Sequence, residues 1–187
     1  MIPSWQDHYI NAYRFAALSH DGQKVPGTGI PYLMHLSMVS MEVIASFAVE
    51  PECNCELAVQ CALLHDVVED TPISYDLVCE VFGKDVADGV AALTKNEKLP
   101  TKQEQMADSL RRIREQSPEV WRVKLADRIT NLQPPPSHWS TEKKVSYRAE
   151  AVTILDALGA ASPYLAERLR AKIATYAEHI DSGDEAV

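Results

Sequence analysis

Apolar residues recur at helical spacing along almost the whole chain. One such segment contains Met38, Val39, Met41, Val43, Ile44 and Phe47. A recurrence every three or four residues is typical of amphipathic helices, and no convincing period-two alternation competes with it. The pattern predicts an all-α helical bundle of about nine helices, which span about 4–20, 36–49, 55–69, 73–82, 84–93, 102–116, 118–132, 141–160 and 163–180.

Proline and glycine residues fall between the predicted helices. Three glycines and two prolines lie between Gly22 and Pro31, and the run of prolines 134–136 cannot continue a helix. Ser162 followed by Pro163 is the usual order at a helix start. These breaks fit one domain over residues 1–180, and the small, acidic residues 181–187 are predicted to be a frayed tail.

Size and charge exclude several classes of protein. The 187 residues, of which 46% are hydrophobic, suffice for one buried core. The sequence has no apolar run of about 18 residues and no basic-then-apolar leader, so we expect a cytoplasmic protein without a membrane span. The formal net charge of −9 argues against nucleic acid as a partner, because neutralising phosphates needs a basic surface.

The run from Ala62 to Thr71 places four ionisable side chains in an otherwise apolar helix. Burying such groups is unfavourable unless they are paired or bind a metal. His65 and Asp66 offer a nitrogen and an oxygen to one ion, and Glu69 would return to the face of His65 one turn later. Alternatively, Glu69 and Asp70 are solvated carboxylates that mark a helix end before a turn.

Two further segments supply ligands of the same kinds. Asp127 and Asn131 lie one turn apart in an apolar helix, and His35 follows a glycine-containing loop. Taken singly, Asp127 would pair with Lys124 or Arg128 at the surface, and His35 would be structural. Taken together, two imidazoles and two carboxylates from three helices suit Mn²⁺, Fe²⁺ or Zn²⁺. The metal ligands predicted by this set are His35, His65, Asp66 and Asp127.

The order His, His-Asp, Asp resembles the pattern of the HD phosphohydrolase superfamily. The flanking sequence closely resembles the hydrolase domain of RelA/SpoT proteins over about residues 5–180, in the segments 22–23, 29–35, 62–71, 82–83, 93–95 and 123–132. The resemblance implies an HD-domain fold and a stand-alone small alarmone hydrolase similar to the metazoan SpoT homologues. It further implies Mn²⁺-dependent removal of the 3′-pyrophosphate of (p)ppGpp, which yields GDP or GTP plus pyrophosphate and lowers alarmone levels.

The resemblance also assigns roles to individual residues. It implies that His35, His65, Asp66 and Asp127 hold the ion, which polarises a water molecule. Glu69 and Asp70 match the acidic pair of this hydrolase branch, and which of them is acid and which is base stays open. Asn131 matches the residue that contacts the nucleotide sugar.

The loop that would bind the base departs from the family pattern. Lys24 stands where the family typically has an arginine that stacks on the purine, and Thr28 follows in the same loop. Because an ammonium group cannot stack as a guanidinium does, we expect weaker base recognition and turnover of ppApp as well as ppGpp. Four further cations are either substrate phosphate ligands or solvated surface groups: Lys95, Lys98, Lys144 and Arg148.

Other activities stay open at this point. The same site could act on another nucleotide phosphate such as NADPH, or on a 5′-nucleotide. A catalytically idle domain that binds alarmone or a protein partner is the alternative from another class. Retention of all the presumed ligands and both acidic residues argues against an idle domain, because binding alone needs no group that activates water.

Overall fold

The structure is a computed structural model that describes residues 4–181. The described residues form eleven α-helices: α1 (Trp5–Ser19), α2 (Leu33–Phe47), α3 (Cys55–Leu64), α4 (Val67–Asp70), α5 (Tyr75–Phe82), α6 (Lys84–Leu93), α7 (Lys102–Arg114), α8 (Pro118–Asn131), α9 (Thr141–Leu158), α10 (Pro163–Tyr176) and α11 (Glu178–Asp181). A 3₁₀ turn, Gly159–Ala161, follows α9. The predicted all-α class is therefore confirmed for this part of the chain. The predicted frayed tail lies outside the described residues, apart from the helical backbone of Asp181.

Most helices begin and end close to the predicted positions. Side-chain caps explain several starts, as at α10, where the Ser162 hydroxyl accepts a hydrogen bond from the Leu165 amide at 3.1 Å.

Within residues 4–181 the only extended pairing is a single antiparallel bridge between Lys24 and Pro31. None of the described helices is long and apolar enough to cross a membrane.

Helices α3 and α8 form the centre of the bundle. Helix α3 packs against α1, α2, α6 and α8, and helix α8 also contacts α9 and α10. Every residue from Ala58 to Leu64 is buried, and so are most residues of α8 from Val120 to Thr130. The predicted metal ligands His65 and Asp127 therefore lie on or beside the two most enclosed helices.

The predicted helix over 55–69 is wrong in one respect, because it is broken at His65 and Asp66. Helix α3 ends at Leu64, α4 begins at Val67, and Asp66 between them has φ −102° and ψ −2°. Neighbouring residues of a regular helix point about 100° apart. The backbone at the break is not a regular helix, and the side chains of His65 and Asp66 both line one cavity. Glu69 lines the same cavity as His65, as the sequence predicts, although no continuous helix joins the two residues.

Arg112 on α7 fixes the end of α6. Its guanidinium donates to the carbonyls of Ala91, Ala92 and Thr94 at 2.6, 3.0 and 2.7 Å, and it pairs with Asp108. These carbonyls at the end of a helix otherwise lack partners. The contacts hold in place the segment that leads into Lys95.

We expect Arg112→Met to lower the free energy of unfolding by about 2–3 kcal/mol, because it leaves several partly buried carbonyls without their charged donor. Urea unfolding followed by circular dichroism measures the change. Arg111→Met is the matched control, since Arg111 is a solvent-exposed neighbour that binds only Asp108 and Glu115 among the described residues, and it should have little effect. Equal losses for the two variants would contradict this role of Arg112.

Candidate metal centre and active site

Four side chains from three parts of the bundle converge at one point. His35 lies in the first turn of α2, His65 and Asp66 lie at the break between α3 and α4, and Asp127 lies on α8. Asp127 Oδ1 is 3.5 Å from His35 Nε2 and 3.8 Å from His65 Nε2. Asp66 Oδ2 is 2.9 Å from His65 Nε2 and 3.7 Å from His35 Nε2. The structure thus brings all four predicted ligands together.

The cluster fits a divalent metal ion. His65 Nδ1 donates to the Ala62 carbonyl at 2.9 Å, so Nε2 is the nitrogen that is left to bind an ion. That Nε2 atom is buried and faces Asp66 Oδ2 at 2.9 Å. Possible ligand atoms of His35, His65 and Asp127 all lie within 4.8 Å of one another. A mixed nitrogen and oxygen set of this kind suits several first-row transition metals.

Hydrogen bonds from neighbouring residues orient the two carboxylates. The Tyr32 hydroxyl donates to Asp66 at 2.5 Å. Asp127 accepts from Lys124 Nζ at 3.0 Å and from Asn131 Nδ2 at 2.6 Å. The sequence alone did not assign Tyr32 to the site. The alternative for Asp127 taken alone was a surface pair with Lys124 or Arg128. The pair with Lys124 is present, but both side chains are mostly buried (11% and 13% exposed).

The charges in the cluster keep the carboxylates ionised. Burial opposes the charge of Asp127, but Lys124 and the two imidazoles hold the pKa of its carboxyl well below the usual range. Burial also opposes the charge of Asp66, and His65 lowers the pKa of that carboxyl. Burial and the Asp66 charge raise the pKa of Tyr32, so the phenol stays protonated and acts as a donor. Both carboxylates are therefore ready to bind a cation.

We expect Tyr32→Phe to weaken metal binding by about 10- to 100-fold. A residue that hydrogen-bonds to a metal ligand orients that ligand, and its loss typically lowers metal affinity by this factor. Isothermal titration of the metal-stripped variant with Mn²⁺ measures the affinity. Tyr75→Phe is the matched control, since the Tyr75 hydroxyl donates to Asp88 at 2.7 Å, outside this cluster. Unchanged affinity in Tyr32→Phe would contradict an orienting role for the phenol.

The acidic pair lies beside the ligand cluster, and each member has its own partner. Glu69 accepts hydrogen bonds from the backbone amide and the ammonium of Lys95, at 2.8 and 2.7 Å. Asp70 accepts from the Gln23 side-chain amide at 3.4 Å. Burial and the nearby charges of Asp66 and Glu69 raise the pKa of Asp70. Asp70 therefore holds a proton more readily than an ordinary aspartate does.

Two adjoining cavities open at this place. The smaller one, about 160 Å³, is lined by the four predicted ligands together with Glu69 and Asp70. The larger one, about 580 Å³, lies between α7, α8 and α9 and is lined on several sides by lysines. Four residues line both cavities: Lys95, Lys124, Asp127 and Asn131. An extended molecule could therefore reach from one cavity into the other.

The structure brings only part of the predicted substrate-binding set to these cavities. Lys95 and Asn131 line both. Lys24, Thr28 and Lys98 are exposed and line neither. The other two predicted cations bind backbone carbonyls near the C-terminal end of the described chain. Lys144 donates to His179 at 3.0 Å and Arg148 donates to Ile173 at 2.9 Å.

Other side chains, which are not among the predicted site residues, line the larger cavity. Lys143 lies over the Trp139 ring, 4.0 Å from its centroid, and the Arg128 guanidinium lies 4.5 Å from the centroid of the Tyr147 ring. Lys102, the first residue of α7, also lines this cavity. The sequence places Lys102 in one basic stretch with Lys95 and Lys98, and Lys143 in another with Lys144 and Arg148. Either stretch could be a solvated helix face or part of a pocket for a small polyanion, and the pattern did not indicate which lysines face the cavity.

The chain matches a known family and curated proteins. The family described as HD domain matches residues 12–163. The guanosine-3′,5′-bis(diphosphate) 3′-pyrophosphohydrolase MESH1 of Drosophila melanogaster is 31% identical over 155 residues, which are 80% of this chain and 84% of the fly protein. A protein of Aquifex aeolicus with the same enzyme name, without the MESH1 suffix, is 34% identical over 134 residues. That match covers 70% of this chain but only 18% of the bacterial protein.

A solved structure shows the same architecture. It belongs to a metazoan orthologue of SpoT that hydrolyses ppGpp, and it aligns with a TM-score of 0.76 at 29% sequence identity. The alignment covers 94% of this chain and 97% of the other. The similarity therefore extends over the helices that carry the ligand cluster, the acidic pair and both cavities.

Proposed function

Because this chain belongs to the HD-domain family, we propose that it is a metal-dependent hydrolase that removes the 3′-pyrophosphate of (p)ppGpp. The products are pyrophosphate and GDP or GTP, and the cellular effect is a lower alarmone level. One observation carries the proposal: the ligand cluster and the Glu69–Asp70 pair line a small cavity that adjoins a larger, lysine-rich one. The similarity to MESH1 over most of both chains supports it. We infer a cytoplasmic location, because the substrate is a soluble nucleotide.

We propose Mn²⁺ as the ion, held by His35, His65, Asp66 and Asp127. Two imidazoles and two carboxylates form a ligand set that Mn²⁺ accepts. A divalent ion bound there supplies Lewis-acid polarisation of a phosphoryl oxygen and makes water a stronger nucleophile. Tyr32, Lys124 and Asn131 keep the carboxylates in place through the hydrogen bonds described above.

The acidic pair, Glu69 and Asp70, would accept and donate the protons that the reaction transfers. Water adds to the phosphorus attached to the ribose 3′-oxygen, the bond between that phosphorus and the 3′-oxygen breaks, and the 3′-oxygen takes up a proton. Glu69 lines the small cavity and is held by Lys95, which suits a group that accepts a proton from water. The raised pKa of Asp70 suits a group that donates a proton to the departing 3′-oxygen.

The larger cavity would receive the rest of the nucleotide. Lys102 and Lys143 approach it from different helices, and Lys124 lies between it and the metal cluster. Clustered ammonium groups attract and bind phosphate. We therefore propose that Lys102 and Lys143 contact the 5′-phosphates, in place of Lys98, Lys144 and Arg148, which line neither cavity.

We propose that base recognition is relaxed, so that ppApp is also a substrate. Lys24 replaces the arginine that stacks on the purine in the family, and both Lys24 and Thr28 are exposed outside the two cavities. We expect values of kcat/KM for ppGpp and ppApp within about tenfold, since the Lys24 ammonium cannot stack on the purine as a guanidinium does and holds the base less tightly. A steady-state comparison of the two substrates decides this. Strong preference for guanine would contradict it.

A substrate panel tests the whole proposal. The purified protein is incubated with ppGpp, pppGpp, NADPH and a 5′-nucleotide in the presence of Mn²⁺, and the products are separated by chromatography. We expect rapid release of pyrophosphate from both guanosine alarmones and much slower release of phosphate from the other two compounds. Faster turnover of NADPH or of the 5′-nucleotide would overturn the assignment of the substrate.

A further inference from the structure

The acidic residue Asp70 is tied to the turn that follows α1. Helix α1 ends at Ser19, and Gly22 turns the chain with φ +75°. This conformation lets Gln23 fold back, so that its amide donates to the His20 carbonyl at 3.0 Å. The turn therefore places the side chains of His20 and Gln23 next to each other.

The two side chains form a directed pair of hydrogen bonds that ends on Asp70. His20 Nδ1 lies 2.6 Å from Gln23 Oε1, and Gln23 Nε2 lies 3.4 Å from Asp70 Oδ2. Since an amide oxygen can only accept, His20 Nδ1 must carry the hydrogen atom. In this arrangement the oxygen end of the Gln23 amide faces His20. The amino end of Gln23 is thereby turned towards Asp70.

The same turn is also attached to the metal side of the site. His20 is buried, and its ring packs 5.1 Å from the ring of Tyr32, whose hydroxyl binds Asp66. The Gln23 carbonyl accepts from the Tyr32 amide at 2.9 Å. His20 and Gln23 are therefore part of a packed support that contacts both the ligand Asp66, through Tyr32, and the acidic residue Asp70.

Asp70 needs such an anchor. It ends the four-residue helix α4, its side chain is exposed, and the carboxylates of Asp66 and Glu69 repel its charge. In the described chain, the Gln23 amide is the side-chain donor that holds it. Without that donor, repulsion and solvent favour rotamers that turn the carboxyl away from the cavity.

We propose that His20 and Gln23 are positioning residues for Asp70. Gln23 holds the Asp70 carboxyl towards the small cavity, and His20 acts only through Gln23 by fixing its amide. This inference rests on the proposed hydrolysis, in which Asp70 transfers a proton. It predicts that Gln23 and Asp70 form one functional unit, so their substitutions have non-additive effects on turnover.

A double-mutant cycle with ppGpp tests the proposal. We expect Gln23→Met to lower kcat about tenfold, with KM, bound metal and melting temperature little changed, because it removes a hydrogen bond to a carboxyl group. In the Asp70→Asn background the same substitution should change kcat less than about twofold. Gln133→Met is the control, since among residues 4–181 the Gln133 side chain donates only to the Thr130 carbonyl and lines neither cavity, and it should leave kcat unchanged.

His20→Phe supplies a second cycle. It keeps an aromatic ring beside Tyr32 but removes the donor to Gln23, so it should lower kcat in the wild type and not in Gln23→Met. Equal effects of Gln23→Met with and without Asp70→Asn would overturn the positioning role, whatever His20→Phe does. If the wild type itself fails to hydrolyse ppGpp, the proposed function is wrong, and this inference, which rests on it, is wrong with it.

Discussion

Replacing Asp127 by alanine should remove bound metal and bring turnover below detection. Asp127 Oδ1 is within 3.8 Å of both imidazole Nε2 atoms, so the carboxylate closes the ligand cluster on the α8 side. Its loss also leaves the mostly buried Lys124 ammonium without its partner, which places a positive charge where the ion should bind. Metal content by mass spectrometry and turnover of ppGpp are the two measurements.

Two further variants separate loss of the ion from loss of the fold. Asp127→Asn keeps the shape of the side chain and should keep the helical circular dichroism spectrum, yet it should also lose metal, because a neutral amide is a poorer ligand and cannot balance Lys124. Asp88→Asn is the surface control, since Asp88 pairs with Lys84 and Tyr75 outside the cavities. Full metal content together with wild-type turnover in Asp127→Ala would contradict the proposed centre.

Replacing Glu69 by glutamine should slow proton transfer without removing the bound metal ion. Both carboxylate oxygens of Glu69 accept hydrogen bonds from Lys95, so we expect the variant to bind metal as the wild type does. Turnover should fall by about 10²- to 10⁴-fold, which is the contribution of a positioned group that transfers a proton. The amide oxygen can still accept one of the two hydrogen bonds from Lys95, and the other is lost.

Glu56→Gln is the matched control for this substitution. Glu56 lies on α3 and pairs with His8 at 3.2 Å, away from both cavities, so its loss should leave turnover unchanged. Near-normal turnover in Glu69→Gln would refute the role given to Glu69 and leave the metal centre standing. Loss of metal in the same variant would instead show that Glu69 supports the ion.

The helices could be predicted from the sequence because their buried faces repeat every three to four residues. Caps such as Ser162 and breakers such as the proline run 134–136 then set several boundaries. The break at His65 and Asp66 could not be predicted in this way. The residues around it, Ala62 to Val68, form a continuous helix-compatible pattern without glycine or proline. The hydrogen bond that Asp66 makes at the break comes from Tyr32, which is 34 positions away in the sequence.

The ligand cluster was predictable because histidine and aspartate are unusual in apolar helices. The walls of the larger cavity were not, because they depend on how α9 is rotated about its axis. Lys144 and Arg148 share one face and bind backbone carbonyls near the chain end, whereas Lys143 and Tyr147, one position earlier in each case, line the cavity. Adjacent residues on a helix differ by about 100° in direction, and only tertiary packing decides between them.

The most direct test of the central claim is an assay of the purified protein with ppGpp and Mn²⁺, with and without a chelator, in which chromatography follows GDP and pyrophosphate. We predict that GDP and pyrophosphate appear in equal amounts, that the chelator stops their release, and that added Mn²⁺ restores it. Absence of both products from protein shown to contain bound metal would contradict the proposed hydrolysis.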